Sequence, residues 1–275
     1  MKDKITRKTA YVLPDMRNID KSIYTLLTQA MSSSKVFRNK QLFFQYVAFL
    51  YLSGSRRIEP FLSKPFITTW KQNIKGKTMQ FYKINRINAK HFIKPSYSCP
   101  CGFKTSSKES ILQHCKLEHT HYTIAGKRTQ LSAVFRLNNP YERAILDYLM
   151  EGRQERSFDF APLLPKAFSH KPLEEREALL LGTSANKEYY IAPITAKFGM
   201  LKARITDGRK ALDYHILPHM LRHLRAYCLL INYNLPPELV RRLLGWTGKA
   251  MVDYYAEINI AMQEKEEIAI YKQID

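Results

Sequence analysis

The segment from Pro218 to Tyr233, PHMLRHLRAYCLLINY, constrains the fold of this chain more than any other. Read as a helix, it puts Leu221, Leu224, Cys228 and Ile231 on one face. Ala226, Leu229 and Leu230 make much of the other side apolar too. A helix that is hydrophobic nearly all round must be buried inside a larger body. At 275 residues, 45% of them hydrophobic, the chain can supply that body as one large domain or one domain plus a small module. Yet His219 and Arg222, three apart and so neighbours on one face, stand at the start of this helix. A buried guanidinium is costly without an anion. The anion is either an internal Asp or Glu or an external one, which the positive end of a helix also favours.

Charge bears on that choice. Lys and Arg number 44 against 24 Asp and Glu, a net charge of +20. Such a surface attracts polyanions, with nucleic acid first among them, although a membrane surface or a ribosomal partner fits the charge almost as well. The basic start, MKDKITRKTAYVLP, lacks the apolar core of a signal peptide. The greasiest run, LFFQYVAFLYL (Leu42 to Leu52), is about half a membrane span and reads as a buried helix. Four cysteines are too few for a secreted disulfide scaffold of this size. Three of them fall within 17 residues, which suggests a metal in a reducing compartment. The expected location is cytoplasmic and nucleoid-associated, not secreted.

Residues 1–18 read as a basic arm. Ile19, Ile23, Leu26, Leu27 and Ala30 recur at helical spacing, and a second helix carries Leu42 to Leu52 before the stop at Ser53-Gly54-Ser55. Ile67 to about Asn88 is strand-like, with Lys75-Gly76-Lys77 as its turn, and strand-like text resumes at Gln130 to Leu137. Asn139-Pro140 opens a helix through Met150, an N-cap followed by Pro at the first helical position. The stretch 151–192 is irregular. Beyond it helices are expected at roughly 194–206, 218–233 and 237–244, with a tail from about 259.

The upstream segment SGSRRIEPFL repeats the pattern of a cation delivered to the interior: Arg56 follows a glycine turn, and Glu59 lies three residues on, able to hold a guanidinium in place. The ordered set Gly54-x-Arg56-x-x-Glu59, then His219-x-Leu221-Arg222-His223, then Leu244-Gly245-Trp246 with Tyr255 nine residues later, resembles the catalytic domain of the tyrosine recombinase (phage integrase) family. The match covers most of residues 40–260 in order. It implies an α+β fold, mainly helical with a small antiparallel sheet, over residues 19–275. The implied activity is site-specific DNA recombination through a covalent 3′-phosphotyrosyl link, with double-stranded DNA as partner, a homotetramer on synapsed DNA and no catalytic metal or other cofactor. An integrase of a virus, plasmid or other mobile element is the expected kind.

The resemblance assigns roles that the chemistry makes intelligible. Tyr255 would attack the scissile phosphorus, and the ester would store the bond energy, so that rejoining needs no ATP. Arg56 and Arg222 would grip the non-bridging oxygens where negative charge grows, and His219 would shuttle a proton. Trp246 stands where the family most often has histidine; an indole can donate a hydrogen bond but cannot accept a proton. His223 is expected to be a structural partner within the helix. Tyr254 competes with Tyr255, but adjacent helical residues point about 100° apart, and spacing favours Tyr255. The family also uses a hairpin lysine to protonate the leaving oxygen. Lys127 is the choice here, with Lys90 second and Lys83 third.

Between the strands, CPCGFKTSSKESILQHCKLEH (residues 99–119) offers Cys99, Cys101, His114 and His119 as ligands of a structural zinc, in an inserted finger-like module over residues 97–121. Twelve residues between Cys101 and His114 and four between the histidines match a two-Cys, two-His finger. Phe103 with Ile111 or Leu112 would form the mini-core, and Ser106 with Glu109 a capping box. The single residue between the cysteines departs from the usual two to four; Cys115 or His121 is an alternative ligand. Two other functions fit the residues less fully: a topoisomerase-like nicking and closing enzyme, and a finger-bearing DNA-binding regulator on a decayed scaffold. About 40 residues precede the Arg56 helix, too few for the family's N-terminal clamp domain, so either a minimal integrase or a fragment is expected. Past Tyr255, Ile268, Tyr271 and Ile274 recur as a stripe suited to docking on a neighbouring subunit.

Overall fold

The computed structural model describes residues 19–32, 39–117, 122–137, 139–172, 175–176, 180, 184–199, 202–207, 210–215 and 217–246. The expected basic arm (1–18), His119, His121, Tyr254, Tyr255 and the C-terminal stripe lie outside the described residues.

Helix α1 (Ile19–Ser32) and helix α2 (Lys40–Ser53) open the chain. Every residue of α2 from Phe43 to Ser53 is buried, as a run with apolar residues on all sides requires. Around it pack α1, a helix α4 at Pro140–Met150 and a helix α7 at Pro218–Tyr227. Phe43 meets Phe198 edge-on at 5.2 Å between ring centroids, and Tyr46 packs on Phe61 at 5.0 Å and Phe160 at 5.5 Å. The α4 boundary follows from its cap: Asn139 Oδ1 accepts from the Glu142 backbone N–H at 2.8 Å, with Pro140 next in line. No described helix is long and apolar enough to cross a membrane.

The sheet is antiparallel. Strand β1 (Phe66–Ile74) turns at Lys75 and Gly76, both with positive φ, into the long strand β2 (Lys77–Ser98). Two consecutive left-handed residues give the tight hairpin whose twist suits its strands. Strand β4 (Thr123–Arg136) pairs with the other edge of β2, from Phe81↔Arg136 to Ser98↔Thr123. At the far end of that pair stands a small module, strand β3 (Lys104–Thr105) and helix α3 (Lys108–Leu117). A short β5 (Glu155–Ser157) pairs with β1. Register and burial agree on two faces: Ile67, Tyr82, Ile84, Arg86, Ala133 and Phe135 face the core, while their neighbours along each strand are partly or fully exposed.

The remainder of the chain adds a four-residue helix α5 (Lys166–Ser169) and helix α6 (Ser184–Gly199). The helix expected at 194–206 is corrected here. Helix α6 starts ten residues earlier and ends at Gly199, and Lys202–Asp207 (β6) pairs with Lys210–His215 (β7) as a two-stranded ribbon. Helix α7 passes at Cys228–Asn232 into a π-helical turn, closed by Tyr233 N–H on Cys228 O at 2.9 Å. Helix α8 (Pro237–Leu244) ends at Gly245 in the left-handed region. The fold is a mixture of helices and a small antiparallel sheet, an α+β arrangement.

Candidate functional site

Glu59 is fully buried at the start of a single 3₁₀ turn, Glu59–Phe61. Its carboxylate accepts from the Arg56 backbone N–H at 3.0 Å and from Arg56 Nη1 at 2.8 Å. It also accepts from the Ala89 backbone N–H at 3.2 Å and from Arg86 Nη1. Burial pushes this carboxyl up, but the charges of Arg86, Arg222 and Arg56 together hold it below the usual carboxylate range. Glu59 is thus spent on orienting cations. Arg56 keeps 22% of its side chain exposed, and Asn88 Oδ1 fixes Nη1 from a second side at 3.0 Å.

Two helix ends deliver the rest. Helix α2 stops at Gly54 (φ 58°) and α8 stops at Gly245 (φ 66°). Both glycines are needed for close approach as well as for φ. A Cβ on Gly54 would stand 2.3 Å from Leu244 Cδ2, and one on Gly245 would stand 2.8 Å from Asn88 Nδ2. Arg222, 3% exposed and on the second turn of α7, bridges the two ends: Nη1 donates to Gly54 O at 2.5 Å and Nη2 to Leu244 O at 2.8 Å. Arg86 Nη2 reaches Leu243 O and Leu244 O, and Asn88 Nδ2 reaches Gly245 O at 3.2 Å. Helix carbonyl ends carry partial negative charge, and guanidinium groups are suitable partners for them. Trp246 follows, 9% exposed, with Arg222 Cζ 5.6 Å from its ring centroid, within the range of a cation–π contact.

The sheet reaches this cluster through an irregularity. Between Ile87↔Gln130 and Phe92↔Arg128, four residues of β2 oppose one of β4. Such a bulge re-aims backbone and side chains. Here it presents Asn88 to Arg56 and Gly245, Ala89 N–H to Glu59, and Ala89 O to the buried Arg128.

Of the residues singled out in the sequence, Arg56, Arg222 and Trp246 therefore come together, with Glu59 between the arginines electrostatically. His219, on the first turn of α7, is exposed, and its ring lies edge-on to His223 at 4.4 Å between centroids. Burial first, then His219 and Arg222, lower the His223 pKa to about 4; His223 is neutral at pH 7. Lys127 is paired by backbone with Ile93, and Lys90 falls within the bulge. Lys83, paired with Thr68 and Val134, stands on the sheet face opposite to Arg86, which removes it as a hairpin lysine for this cluster. Arg86, Asn88 and Arg128 were not singled out. The run from Pro60 to Lys108 contains no acid at all, and no local pattern in it marks Arg86 or Asn88.

A second buried arginine on α7, Arg225, has an internal acid of its own. Arg225 and Glu142 are both fully buried and bonded at 2.6 Å, and Tyr82 Oη lies 2.6 Å from Arg225 Nη2. Tyr233, Asp20, Tyr51, Asn139 and Cys228 extend the network. Burial raises the Tyr51 and Tyr82 hydroxyls far above their ordinary range, so they stay protonated donors. This is an interior brace, not a surface site.

The small module brings Cys99, Cys101 and His114 together, with their ligand atoms all within 4.8 Å of one another. Cys101 Sγ and His114 Nε2 are 3.1 Å apart. The three donor atoms are close enough together to share one metal ion such as zinc. The short spacing is absorbed by a tight turn: Pro100 occupies its second position, Gly102 N–H bonds Cys99 O at 3.0 Å, and Gly102 takes φ 97°. Two expectations are corrected. The mini-core is Ile111 with Tyr97 and Cys99, flanked by Cys115 and Tyr122, whereas Phe103 and Leu112 are exposed. Phe103 instead stacks on the His114 ring at 4.4 Å. The helix cap is Ser107, not Ser106: its Oγ accepts from the Ser110 N–H and bonds Glu109. Strand β3 pairs with the end of β2, which leaves Ser107 as the last residue before α3.

Comparison with models of protein families, with curated proteins and with solved structures found no match for this chain.

Proposed function

We propose that this chain cuts and rejoins DNA strands by a phosphotyrosyl route, as a site-specific recombinase of the tyrosine type. One observation carries the reading. Arg56, Arg222 and Trp246, spread over 190 residues of sequence, converge where two helix ends meet a sheet bulge. Arg56 is buttressed by a carboxylate that is already fully engaged. Three guanidinium groups, those of Arg86, Arg222 and Arg56, act on that carboxylate, a concentration of positive charge suited to a phosphodiester.

In this reading Arg56 and Arg222 hold the non-bridging oxygens, with charge fixed before the negative transition state forms. The exposed His219 moves the proton. Neutral His223 packs edge-on against the His219 ring. Trp246 lends packing and an indole N–H. Lys127 or Lys90, on opposite arms of the hairpin, protonates the leaving 5′-oxygen. Tyr255 is the nucleophile, forming a P–O bond to its phenolic oxygen as the 5′-oxygen leaves with a proton. Cys99, Cys101 and His114, with His119 as fourth ligand, would hold a zinc ion. Four protein ligands would close its shell, so that it orders the module and takes no part in the chemistry. Double-stranded DNA is the substrate, and a tetramer on synapsed DNA is the working assembly.

A nicked duplex that traps the covalent intermediate tests this. A protein–DNA adduct is expected with the unaltered chain and with Tyr254→Phe, and none with Tyr255→Phe although DNA binding persists. No adduct from any form, with binding intact, would refute the enzyme reading and leave a DNA-binding regulator. Relaxation of supercoils without recombinant junctions would point to a nicking and closing enzyme instead.

A further inference from the structure

The outer face of the sheet has no part in the cluster just described. Its residues alternate with the core-facing set: Phe66, Thr68 and Trp70 on β1, Phe81, Lys83 and Asn85 on β2, and Ser132, Val134 and Arg136 on β4. All are half-buried or exposed, and Val134 is 46% exposed. Trp70 and Phe81 are cross-strand partners with near-parallel rings, 5.7 Å between centroids and 19° between planes. Arg136 is the next partner along the same row, opposite Phe81. Lys83 is paired with Thr68 and Val134 in the adjacent outward row.

Charge selects the occupant. Strands β1, β2 and β4 contain no Asp or Glu. From Pro60 to Tyr141 there are fourteen Lys and Arg against Glu109 and Glu118 alone, so twelve of the chain's twenty net positive charges lie in this part. An apolar face without charge would suit a second protein. Rings interleaved with Lys83 and Arg136, against a single acid at the sheet edge, Glu155 of β5 paired with Thr68, suit a chain that carries both π-faces and phosphates. Aromatic residues on a sheet with basic neighbours are how unpaired bases are held without sequence preference. Base pairs in a duplex offer no free π-face to rings lying on a sheet.

We propose that the outer face of β1, β2 and β4 binds single-stranded nucleic acid, with Trp70 and Phe81 stacking bases and Lys83 and Arg136 meeting phosphates. This face lies across the sheet from Glu59 and Arg86, and its binding needs no cleavage.

The chain supplies its own reporter. It has two tryptophans, and Trp246 is buried while Trp70 is half-exposed, so in a Trp246→Phe protein the emission comes from Trp70 alone. Titration with oligo(dT) should quench that emission, and oligo(U) in parallel distinguishes DNA from RNA as the source. In the otherwise unaltered chain, Trp70→Leu with Phe81→Leu should weaken oligonucleotide affinity, read by anisotropy, on the order of tenfold or more, since each base–ring stack contributes that much. Lys83→Gln with Arg136→Gln keeps the rings. It should flatten the slope of log affinity against log salt by about 1.4, at roughly 0.7 per phosphate for single strands. Any one of three results would overturn the proposal. Neither oligonucleotide quenches Trp70; both double variants bind as the unaltered chain does; or the variants abolish a concentration-dependent self-association while leaving oligonucleotide binding unchanged, which would make the face a protein interface.

Discussion

Replacing Glu59 by Gln tests whether this carboxylate is the keystone of the arginine cluster. The substitution preserves shape but exchanges an anion for a neutral amide that can accept at only one atom. Two of the four donors on Glu59 are guanidinium nitrogens, and one belongs to Arg86, whose side chain is 1% exposed. Removing one member of a buried ion pair costs about 3–5 kcal/mol, because the survivor keeps its charge without compensation. Against a total stability of about 5–15 kcal/mol, that is a large fraction. The pH dependence supplies an internal control. The folded pKa of Glu59 lies below its unfolded value. The stabilisation is therefore present above the unfolded carboxylate range and is lost as pH falls through the lower, folded value. The gap between the two proteins should be full at pH 7 and shrink in acid as Glu59 is protonated, because the Gln variant does not titrate. Urea denaturation followed by fluorescence at pH 7 and at several acidic pH values measures both quantities. A destabilisation under about 1 kcal/mol at pH 7, or a gap that stays constant into acid, would show that Arg86 and Arg56 are held by something else.

Three further outcomes follow from the geometry. Gly54→Ala should destabilise the fold by about 2–4 kcal/mol in the same denaturation assay, combining the left-handed penalty with overpacking against Leu244; a cost below about 1 kcal/mol would mean that α2 and α8 are not closely apposed. His223, with its pKa lowered to about 4, should stay neutral from pH 7 down to about 5 by NMR titration. Its contribution to stability is present above the unfolded histidine range near pH 6.5 and is lost as pH falls towards 4; an imidazole titrating near 6.5 would contradict its burial beside Arg222. Freshly purified protein should carry about one zinc per chain, lost in Cys99→Ser with Cys101→Ser, whereas the DNA adduct on a nicked substrate persists; metal analysis without zinc would end the finger reading.

The elements legible in the sequence are those with local determinants. Asn139-Pro140 set the start of α4, Lys75-Gly76 set the first hairpin, and the apolar run broken only by Gln45 made α2 central. The ribbon at 202–215 was legible in principle. Asp207-Gly208 stands between two alternating runs, a strong hairpin signal, but the helical text on either side outweighed it. What could not be read is long-range. Arg225 lies within the helix that first drew notice, yet its partner Glu142 is 83 residues away, and spacing along one helix cannot reveal such a pair. The bulge after Ile87 has no residue pattern of its own; it is defined by Glu59 and Gly245 reaching Asn88 and Ala89 from other elements. The charge on Arg222 was visible, but that its partners include two helix-end carbonyls depends on how α2 and α8 meet.

Strand β2 continues from the bulge at Asn88, through a second irregularity between Ile93 and Ser96, to Ser98, where the cysteine turn begins. At about 3.3 Å per residue, that places the module of Cys99, Cys101 and His114 roughly 30 Å along the strand from the arginines. The distance is close to one helical repeat of duplex DNA, about 34 Å. A duplex whose phosphate lies at Arg56 and Arg222 would then meet the module about nine or ten base pairs away, on the same side of the helix. The length of one strand would act as a ruler, and shortening the β2–β4 ladder by two residues on each strand, roughly 7 Å, should move the outer edge of the footprint inward by about two base pairs without moving the cut.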